Sequence, residues 1–424
     1  MLKRKTLKNG LRVILAPQEA SLAATVLTLV EAGSEYESRE VNGLSHFLEH
    51  LAFKGTVNRP KPGTISEELE SLGAEYNAFT GQEYTGYWAK AQNHKLPQIL
   101  NLISDLYLNP VFNSEEIEKE RGVIIEEINM YEDMPARRVE EYFFALLYGD
   151  QPAGWDIAGR KEVIMKLTRD DFVGYRSKHY VAPATAVVVA GNFPQEEMEH
   201  QVGELFGHLE TADKPEKAKT IEKQDSPGVF LKYKKTDQTN LVLGVRAFDV
   251  FDERRHALQV LSEILGGGMS SRLFVRVRGE MGAAYHIRAN SELFLDHGFL
   301  QVVAGVDSGK VDKVIGVILE ECRRMAERLV DAKELQKAKD HMIGGLILGL
   351  ETSDELAAFY GSQEILNVPL HSPEESVKMI ESVTAEEVQQ VAKAVFSDQG
   401  LNLAMIGPHK QASAFEKLLK FPVT

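Results

Sequence analysis

The feature that most constrains the fold is a long internal repeat. Residues 25–56 read TVLTLVEAGSEYESREVNGLSHFLEHLAFKGT, and residues 239–270 read TNLVLGVRAFDVFDERRHALQVLSEILGGGMS. Both run through an apolar strand, an acidic turn, an amphipathic helix and a glycine in the same order. The chain therefore contains two copies of one structural unit.

The repeat extends beyond this first segment. Residues 93–128 and 308–347 each have the pattern of a helix, a short break and a second helix. Each half then closes with a buried-type strand, TAVVVAGNF in the first and LNLAMIGPH in the second. We expect an α+β fold with two homologous domains, each a mainly antiparallel sheet with helices packed on one face.

The domain division follows from the repeat. Residues 209–228, LETADKPEKAKTIEKQDSPG, are rich in charge and proline and lack apolar periodicity, which predicts a linker. The predicted domains are 1–208 and 229–424.

The two repeated helices keep their apolar residues but differ in three polar ones. His46 falls on Gln259, Glu49 on Ser262 and His50 on Glu263. The pattern needed for packing is retained in the second copy, while the chemically active set is lost.

The polar residues of the first copy have the spacing of a metal site. On a helix His46, Glu49 and His50 project from one face. Two imidazoles one turn apart can bind one zinc ion, and a carboxylate beside them can take a proton from metal-bound water. The alternative is an amphipathic helix with Phe47 and Leu48 in the core and solvated histidines.

A catalytic zinc site needs a third protein ligand. The single cysteine, Cys322, excludes a multi-thiolate site. Glu120 and Glu127 are seven residues apart on a predicted helix and share a face, although acidic pairs of this kind are also common on solvated surfaces. In the second copy the aligned residues are Ala338 and Gly345, so these acids disappear together with the histidines.

HFLEH, followed after 76 residues by Glu127, resembles the inverted zinc motif of the pitrilysin/insulinase family of metallopeptidases. The resemblance covers essentially the whole chain, including LGAEYNAFTGQEYTGYWAKA and GGGMSSRLFVRVRGEMGAAY. Length and two-domain plan are most similar to the branch of mitochondrial processing peptidase and its bacterial relatives.

The resemblance implies a role for each matching residue. Zn²⁺, one per chain, would be held by His46, His50 and Glu127. Glu49 would be the general base, and Glu120 a second carboxylate that supports the site. Substrate would be bound by an edge strand and by a pair of donors near the scissile carbonyl: Asn77, Ala78, Thr80, Arg278 and Tyr285.

The function implied is a zinc endopeptidase that hydrolyses short or unfolded polypeptides. The chain is similar to half of the chamber that longer relatives form, and it carries both the zinc motif and the Arg/Tyr pair. We therefore expect a homodimer in which each site takes Arg278 and Tyr285 from the partner. Two alternatives stay open: a non-catalytic structural subunit, and an active subunit that requires an unlike partner.

Charge and hydropathy exclude other classes. The net charge of −15 disfavours nucleic acid, whose phosphates require a basic surface. No apolar run approaches the roughly 20 residues that span a bilayer, so we expect no membrane association. The N-terminal residues MLKRKTLKNG precede no apolar stretch of signal-peptide length, which predicts a cytoplasmic protein.

Overall fold

The computed structural model describes residues 2–422, so the predicted domain limits at 1 and 424 lie outside the described residues. The chain packs as two compact units. The first comprises the residues up to Asn129, Trp155–Ala218 and Ile347–His371. The second comprises Met130–Gly154, Lys219–Leu346 and the residues from Ser372 onward.

The first unit is built on a six-stranded sheet. Its strands are β1 (Lys3–Thr6), β2 (Arg12–Pro17), β3 (Ala23–Val30), β4 (Glu75–Thr80), β5 (Thr85–Gln92) and β6 (Thr185–Gly191). Their order is β1-β2-β6-β3-β5-β4. Only the β2–β6 pair of this sheet is parallel, and β4 forms an edge.

The second unit repeats this sheet with five strands. They are β7 (Gly228–Tyr233), β8 (Gln238–Arg246), β9 (Ala284–Leu293), β10 (Gly298–Asp307) and β11 (Asn402–Gly407). The order β7-β11-β8-β10-β9 matches that of the first sheet without β1, and β7–β11 is again the parallel pair. The predicted closing strands become β6 and β11, each fully buried.

Helices carry most of the remaining structure. Those before residue 210 are α1 (Leu44–Ala52), α2 (Thr64–Ser71), α3 (Leu96–Leu108), α4 (Ser114–Glu132), α5 (Pro135–Tyr148), α6 (Lys161–Ile164), α7 (Arg169–His179) and α8 (Gln195–Phe206). The later ones are α9 (Arg255–Gly266), α10 (Val311–Glu327), α11 (Ala332–Gly349), α12 (Ser353–Ile365), α13 (Pro373–Ser382), α14 (Ala385–Val395) and α15 (Ala412–Glu416). Residues 209–227 form neither helix nor strand.

The two-domain α+β prediction is confirmed, with one addition. Most helices pack on one face of each sheet, as expected, and a single further helix covers the opposite face. In the first unit this helix is α12, which packs Ala357 and Tyr360 against Leu27 and Val188. Successive residues of β6 point to opposite faces of the sheet, and apolar residues lie on both faces. Both faces therefore require cover.

The helix that covers the second face of the second sheet is α5. It packs Val139 and Phe143 with Val242 and Phe299. Each covering helix thus comes from the opposite half of the sequence, because α5 precedes and α12 follows the predicted linker. The packing units therefore differ from a simple division of the chain at 209–228.

Among the residues that the structure describes, no helix combines the length and apolar character needed to cross a bilayer.

Candidate metal centre

Helix α1 is fixed at its first turn by a buried carboxylate. Glu37 accepts hydrogen bonds from the backbone N–H groups of Gly43, at 2.7 Å, and Ser45, at 2.6 Å. Asn42 Nδ2 donates to the same side chain at 3.0 Å. Glu37 thus satisfies N–H groups that a helix start leaves unpaired.

Packing determines the orientation of α1. The helix begins after Gly43, whose φ of 97° lies in the left-handed region and whose added Cβ would lie 2.7 Å from Ala158 O. Phe47, Leu48 and Leu51 are buried in the core of the first unit. The opposite face of α1 therefore presents His46, Glu49 and His50, as the sequence pattern predicted.

Three buried residues orient helix α4. Ile117 and Ile124 are buried in the core. The buried guanidinium of Arg121 donates to the carbonyls of Ile164 and Leu167. These contacts turn one helix face towards α1, and that face carries Glu120 and Glu127.

The three predicted metal ligands meet at one point. Glu127 Oε2 lies 3.6 Å from His46 Nε2 and 3.5 Å from His50 Nε2. One ligand atom from each residue lies within 4.8 Å of the other two. Donors around a tetrahedral zinc ion lie about 3.3 Å apart for bonds of about 2.0–2.1 Å. Two imidazoles and a carboxylate at this spacing fit zinc.

The ligand side chains are enclosed but accessible. The exposed fractions are 12% for His46, 21% for His50 and 20% for Glu127. Such a site retains a path for water and substrate, which a catalytic metal requires and a closed structural site lacks.

Glu120 supports His50 from behind. Its Oε2 lies 3.3 Å from His50 Nδ1, and its Oε1 lies 2.6 Å from Lys54 Nζ. A carboxylate on Nδ1 leaves Nε2 available to a metal and fixes the ring orientation. Burial raises the pKa of Glu120, but the hydrogen bonds from His50 and Lys54 lower it by a larger amount. The pKa of Glu120 is therefore below its ordinary value.

The carboxylates around His50 favour a positive charge at its imidazole ring. Burial lowers the pKa of His50, but its hydrogen bonds to Glu120 and Glu127 outweigh this effect and raise the pKa to about 9. The nearby carboxylates of Glu49, Glu120 and Glu127 favour a bound cation, whether a proton or a metal ion.

Glu49 is held beside the ligands by β4. Its Oε2 accepts a hydrogen bond of 2.6 Å from Thr80 Oγ1. Burial raises the pKa of the Glu49 carboxyl, and the bond from Thr80 offsets this only in part. The sequence resemblance assigns Thr80 to substrate, whereas the structure places its hydroxyl on Glu49.

The predicted substrate strand is the free edge of the first sheet. Asn77 is exposed and Ala78 is buried, and both lie on β4, which pairs with β5 on one side only. An extended peptide could add to the unpaired side by backbone hydrogen bonding.

Arg278 and Tyr285 lie in the second unit. Arg278 Cζ is 5.5 Å from the centre of the Tyr285 ring, and Tyr285 is 73% exposed. The two side chains thus form a pair, as the resemblance implies. Their proposed contact with substrate stays a prediction.

The equivalent helices of the second unit lack the donor set. Glu263 on α9, which aligns with His50, pairs instead with His341 on α11 at 2.7 Å. Ala338 and Gly345 occupy the positions of the two α4 carboxylates. The repeated fold is retained without the metal ligands.

Two supporting residues were missed from the sequence. Glu37 lies seven residues before the first residue of α1, so the usual pattern of a capping residue directly before a helix does not identify it. Lys54 follows His50 by one helical turn, but nothing in the sequence distinguishes it from a surface lysine. Its contact with Glu120 depends on the approach of α4.

The fold and the donor set together describe a two-domain protein with a candidate metal centre in its first unit. Residues 12–161 match the family described as Insulinase (Peptidase family M16). Residues 166–342 match the family described as Peptidase M16 inactive domain. The chain belongs to the M16 peptidase family, which confirms the resemblance seen in the sequence.

Bacterial relatives match over nearly their whole length. The uncharacterised zinc protease YmxG of Bacillus subtilis is 32% identical over 96% of this chain and 98% of its own. An uncharacterised zinc protease of Mycobacterium leprae is 33% identical over 99% of this chain and 95% of its own. Peptidase function is therefore supported at the level of the family.

Solved structures share the fold. A protease from Helicobacter pylori superposes with a TM-score of 0.89 at 24% identity, covering 96% of this chain and 99% of that one. An M16-like peptidase from Alicyclobacillus acidocaldarius gives a TM-score of 0.84 at 19% identity, with coverages of 96% and 98%.

Proposed function

We propose that this protein is a zinc-dependent endopeptidase that hydrolyses short or unfolded polypeptides inside the chamber of a homodimer. The observation that carries the proposal is the convergence of His46, His50 and Glu127 at zinc-ligand spacing. Glu49, held by Thr80, lies on the same helix face.

Each residue of the site has a distinct task. His46, His50 and Glu127 would hold the metal, and Glu120 orients His50. When bound, zinc would supply Lewis-acid chemistry to the attacking water and the scissile carbonyl. Glu49 accepts a proton from that water and returns it to the leaving amine. Its raised pKa brings the carboxyl nearer to neutral pH, which suits a general base that also acts as an acid.

Substrate binding would use the backbone more than the side chains. A peptide added to the free edge of β4 pairs with main-chain groups near Ala78, while the exposed side chain of Asn77 contacts it. Such pairing requires an extended substrate and excludes a folded one. Arg278 and Tyr285 would donate hydrogen bonds to the carbonyl oxygen in the transition state.

The dimer is proposed from the division of labour between the two units. The second unit keeps the fold, lacks the metal ligands and carries the Arg278–Tyr285 pair. Two copies of the chain would combine both sets in each site.

Two other functions remain to be tested against this one. The chain could be a non-catalytic subunit that retains the fold, or an active subunit that needs an unlike partner. The presence of all three ligands together with Glu49 favours the catalytic proposal. Gel filtration and a peptide assay of the purified chain separate the catalytic homodimer from both alternatives, because each alternative predicts that the chain alone is inert.

The catalytic proposal is tested by Glu49→Gln. The amide keeps the shape of the side chain but cannot accept the proton, so cleavage of a quenched peptide should fall by at least about 100-fold. Zinc content should stay at one per chain. Glu126→Gln is the matched control, because Glu126 lies on α4 and contacts Asn129 away from the ligands. Equal activity of Glu49→Gln and wild type would refute the mechanism.

A further inference from the structure

Lys217 belongs to the segment predicted as a linker, yet its side chain is almost fully buried. It is 8% exposed, and its Nζ lies 2.5 Å from Glu35 Oε2 and 2.9 Å from Glu83 Oε1. The two carboxylate side chains are still less exposed, at 1% and 3%. Buried ionic groups are costly unless their charge is compensated, so loss of this lysine would remove a positive charge that both buried carboxylates share.

The two carboxylates belong to different loops of the first unit. Glu35 follows β3, and Glu83 lies in the turn that joins β4 to β5. Lys217 comes from a third, distant segment and bridges them. The lysine therefore connects the loop that follows β3 to the β4–β5 turn through two ion pairs.

The same loops are joined by their backbones. Ser34 N donates to Gly81 O at 3.2 Å, and Glu35 N donates to Gln82 O at 2.8 Å. The approach is so close that a Cβ on Gly33 would lie 2.4 Å from Gly81 O. Loss of the shared ammonium would increase the repulsion between these two carboxylates, and this repulsion would act directly on the backbone contact.

The turn held in this way begins next to Thr80. Thr80 is the last residue of β4, and its hydroxyl donates to Glu49 at 2.6 Å. Gly81 N closes the turn by donating to Tyr84 O at 2.9 Å. A shift of the turn would therefore move the hydroxyl that orients Glu49.

We infer that Lys217 is a positioning residue for the peptidase site: by bridging Glu35 and Glu83 it holds the β4–β5 turn, and through Thr80 it sets the position of Glu49. The inference rests on the proposed function for its effect on catalysis. The structural part of the inference, that Lys217 holds the β4–β5 turn in place, does not depend on any activity.

A second lysine of the same segment provides the control. Lys214 Nζ lies 2.5 Å from Glu31 Oε2, but its side chain is 37% exposed. Glu31 is also paired with Arg12 and accepts a hydrogen bond from Asn367. Loss of Lys214 leaves Glu31 compensated, so Lys214→Met removes the same charge without releasing the turn.

The first measurement is hydrogen exchange of the full chain, followed by mass spectrometry over residues 75–84. Lys217→Met should accelerate exchange in this segment by about tenfold or more, while Lys214→Met leaves it unchanged. Unchanged exchange in Lys217→Met would overturn the inference. Because this readout needs no substrate, it decides the structural claim even if the wild-type chain cleaves no peptide, a result that would refute only the proposed function.

The second measurement is peptide cleavage in a double-mutant cycle with Thr80→Val. Lys217→Met should lower kcat by about tenfold with little change in KM and with zinc content retained, since a small displacement of a catalytic group is costly. In the Thr80→Val background the same change should cost less than about twofold, because both substitutions act through Glu49. Independent, multiplicative losses would overturn the inference.

Lys217→Arg keeps the test available if Lys217→Met fails to fold. The arginine keeps the positive charge but places it at a different distance from the backbone. We therefore expect a smaller loss of kcat than in Lys217→Met, and this loss should again disappear in the Thr80→Val background. A loss that persists in that background contradicts the positioning role.

Discussion

At the scale of single residues, Glu37 determines how α1 begins. Three donors converge on its carboxylate, yet burial dominates and raises its pKa to about 7. An unfolded chain has a glutamate pKa of about 4.3. Between these two values the folded state binds the proton more tightly, so the contribution of Glu37 to the free energy of unfolding falls as pH rises.

Glu37→Gln should therefore change the pH dependence of stability. The free energy of unfolding of wild type minus that of the variant should decrease from pH 5 to pH 7, by at most about 1.4 kcal/mol per pH unit. Urea unfolding at a series of pH values measures this difference. A difference that increases with pH would show that burial does not dominate at this site.

The sequence indicated the candidate metal ligands more readily than the residues that support them. Helical periodicity and the contrast with the second copy indicate His46 and His50 together with the Glu120–Glu127 pair, and the family resemblance assigns Glu127 of that pair to the metal. The contact of Lys54 with Glu120 and the bond from Thr80 to Glu49 depend on the approach of separate elements. Periodicity identifies which side chains share a face, but not what that face meets.

At the scale of elements, α12 packs closely on the second face of the first sheet. Gly361 of α12 is buried, and its added Cβ would lie 2.8 Å from Leu29 Cδ1 and 3.1 Å from Leu27 Cδ2. The glycine allows this close approach of helix and sheet.

Gly361→Val should destabilise the fold by about 1–3 kcal/mol, because the larger side chain overpacks the contact. Gly174→Val is the matched control, since Gly174 lies on α7 and a Cβ there meets nothing within 4 Å. Thermal and urea unfolding compare the two variants. Equal stability of both would contradict close packing of α12 on the sheet.

The origin of the covering helices was not predictable from the repeat. Sequence periodicity identified amphipathic helices and buried strands, and these are confirmed in both sheets. It could not assign α5 to the second sheet or α12 to the first, because an apolar helix face fits either sheet equally well. That assignment is a property of tertiary packing.

The segment 209–227 shows a related limit of composition. High charge and proline content correctly indicate the absence of helix and strand, but they also suggest solvation. The burial of Lys217 depends on two glutamates far away in sequence, which composition does not register.

At the scale of the whole molecule, the proposed homodimer predicts complementation. Glu49→Gln and Arg278→Ala chains should each be inactive, since one lacks the base and the other lacks an oxyanion donor. If a site combines residues of two chains, a mixed dimer has one site with both substitutions and one site with neither, so mixing should restore up to about half of the wild-type activity per mixed dimer. Continued inactivity of a verified mixed dimer would count against shared sites.

The central claim is that His46, His50 and Glu127 hold one catalytic zinc ion. Its most direct test is to remove metal with a chelator and titrate zinc back while peptide cleavage is recorded. We predict that activity is lost on chelation, rises linearly with added zinc and reaches its plateau at one equivalent per chain, whereas Glu127→Gln gains little. Cleavage that survives complete metal removal, or that is fully restored in Glu127→Gln at one equivalent, would contradict the account.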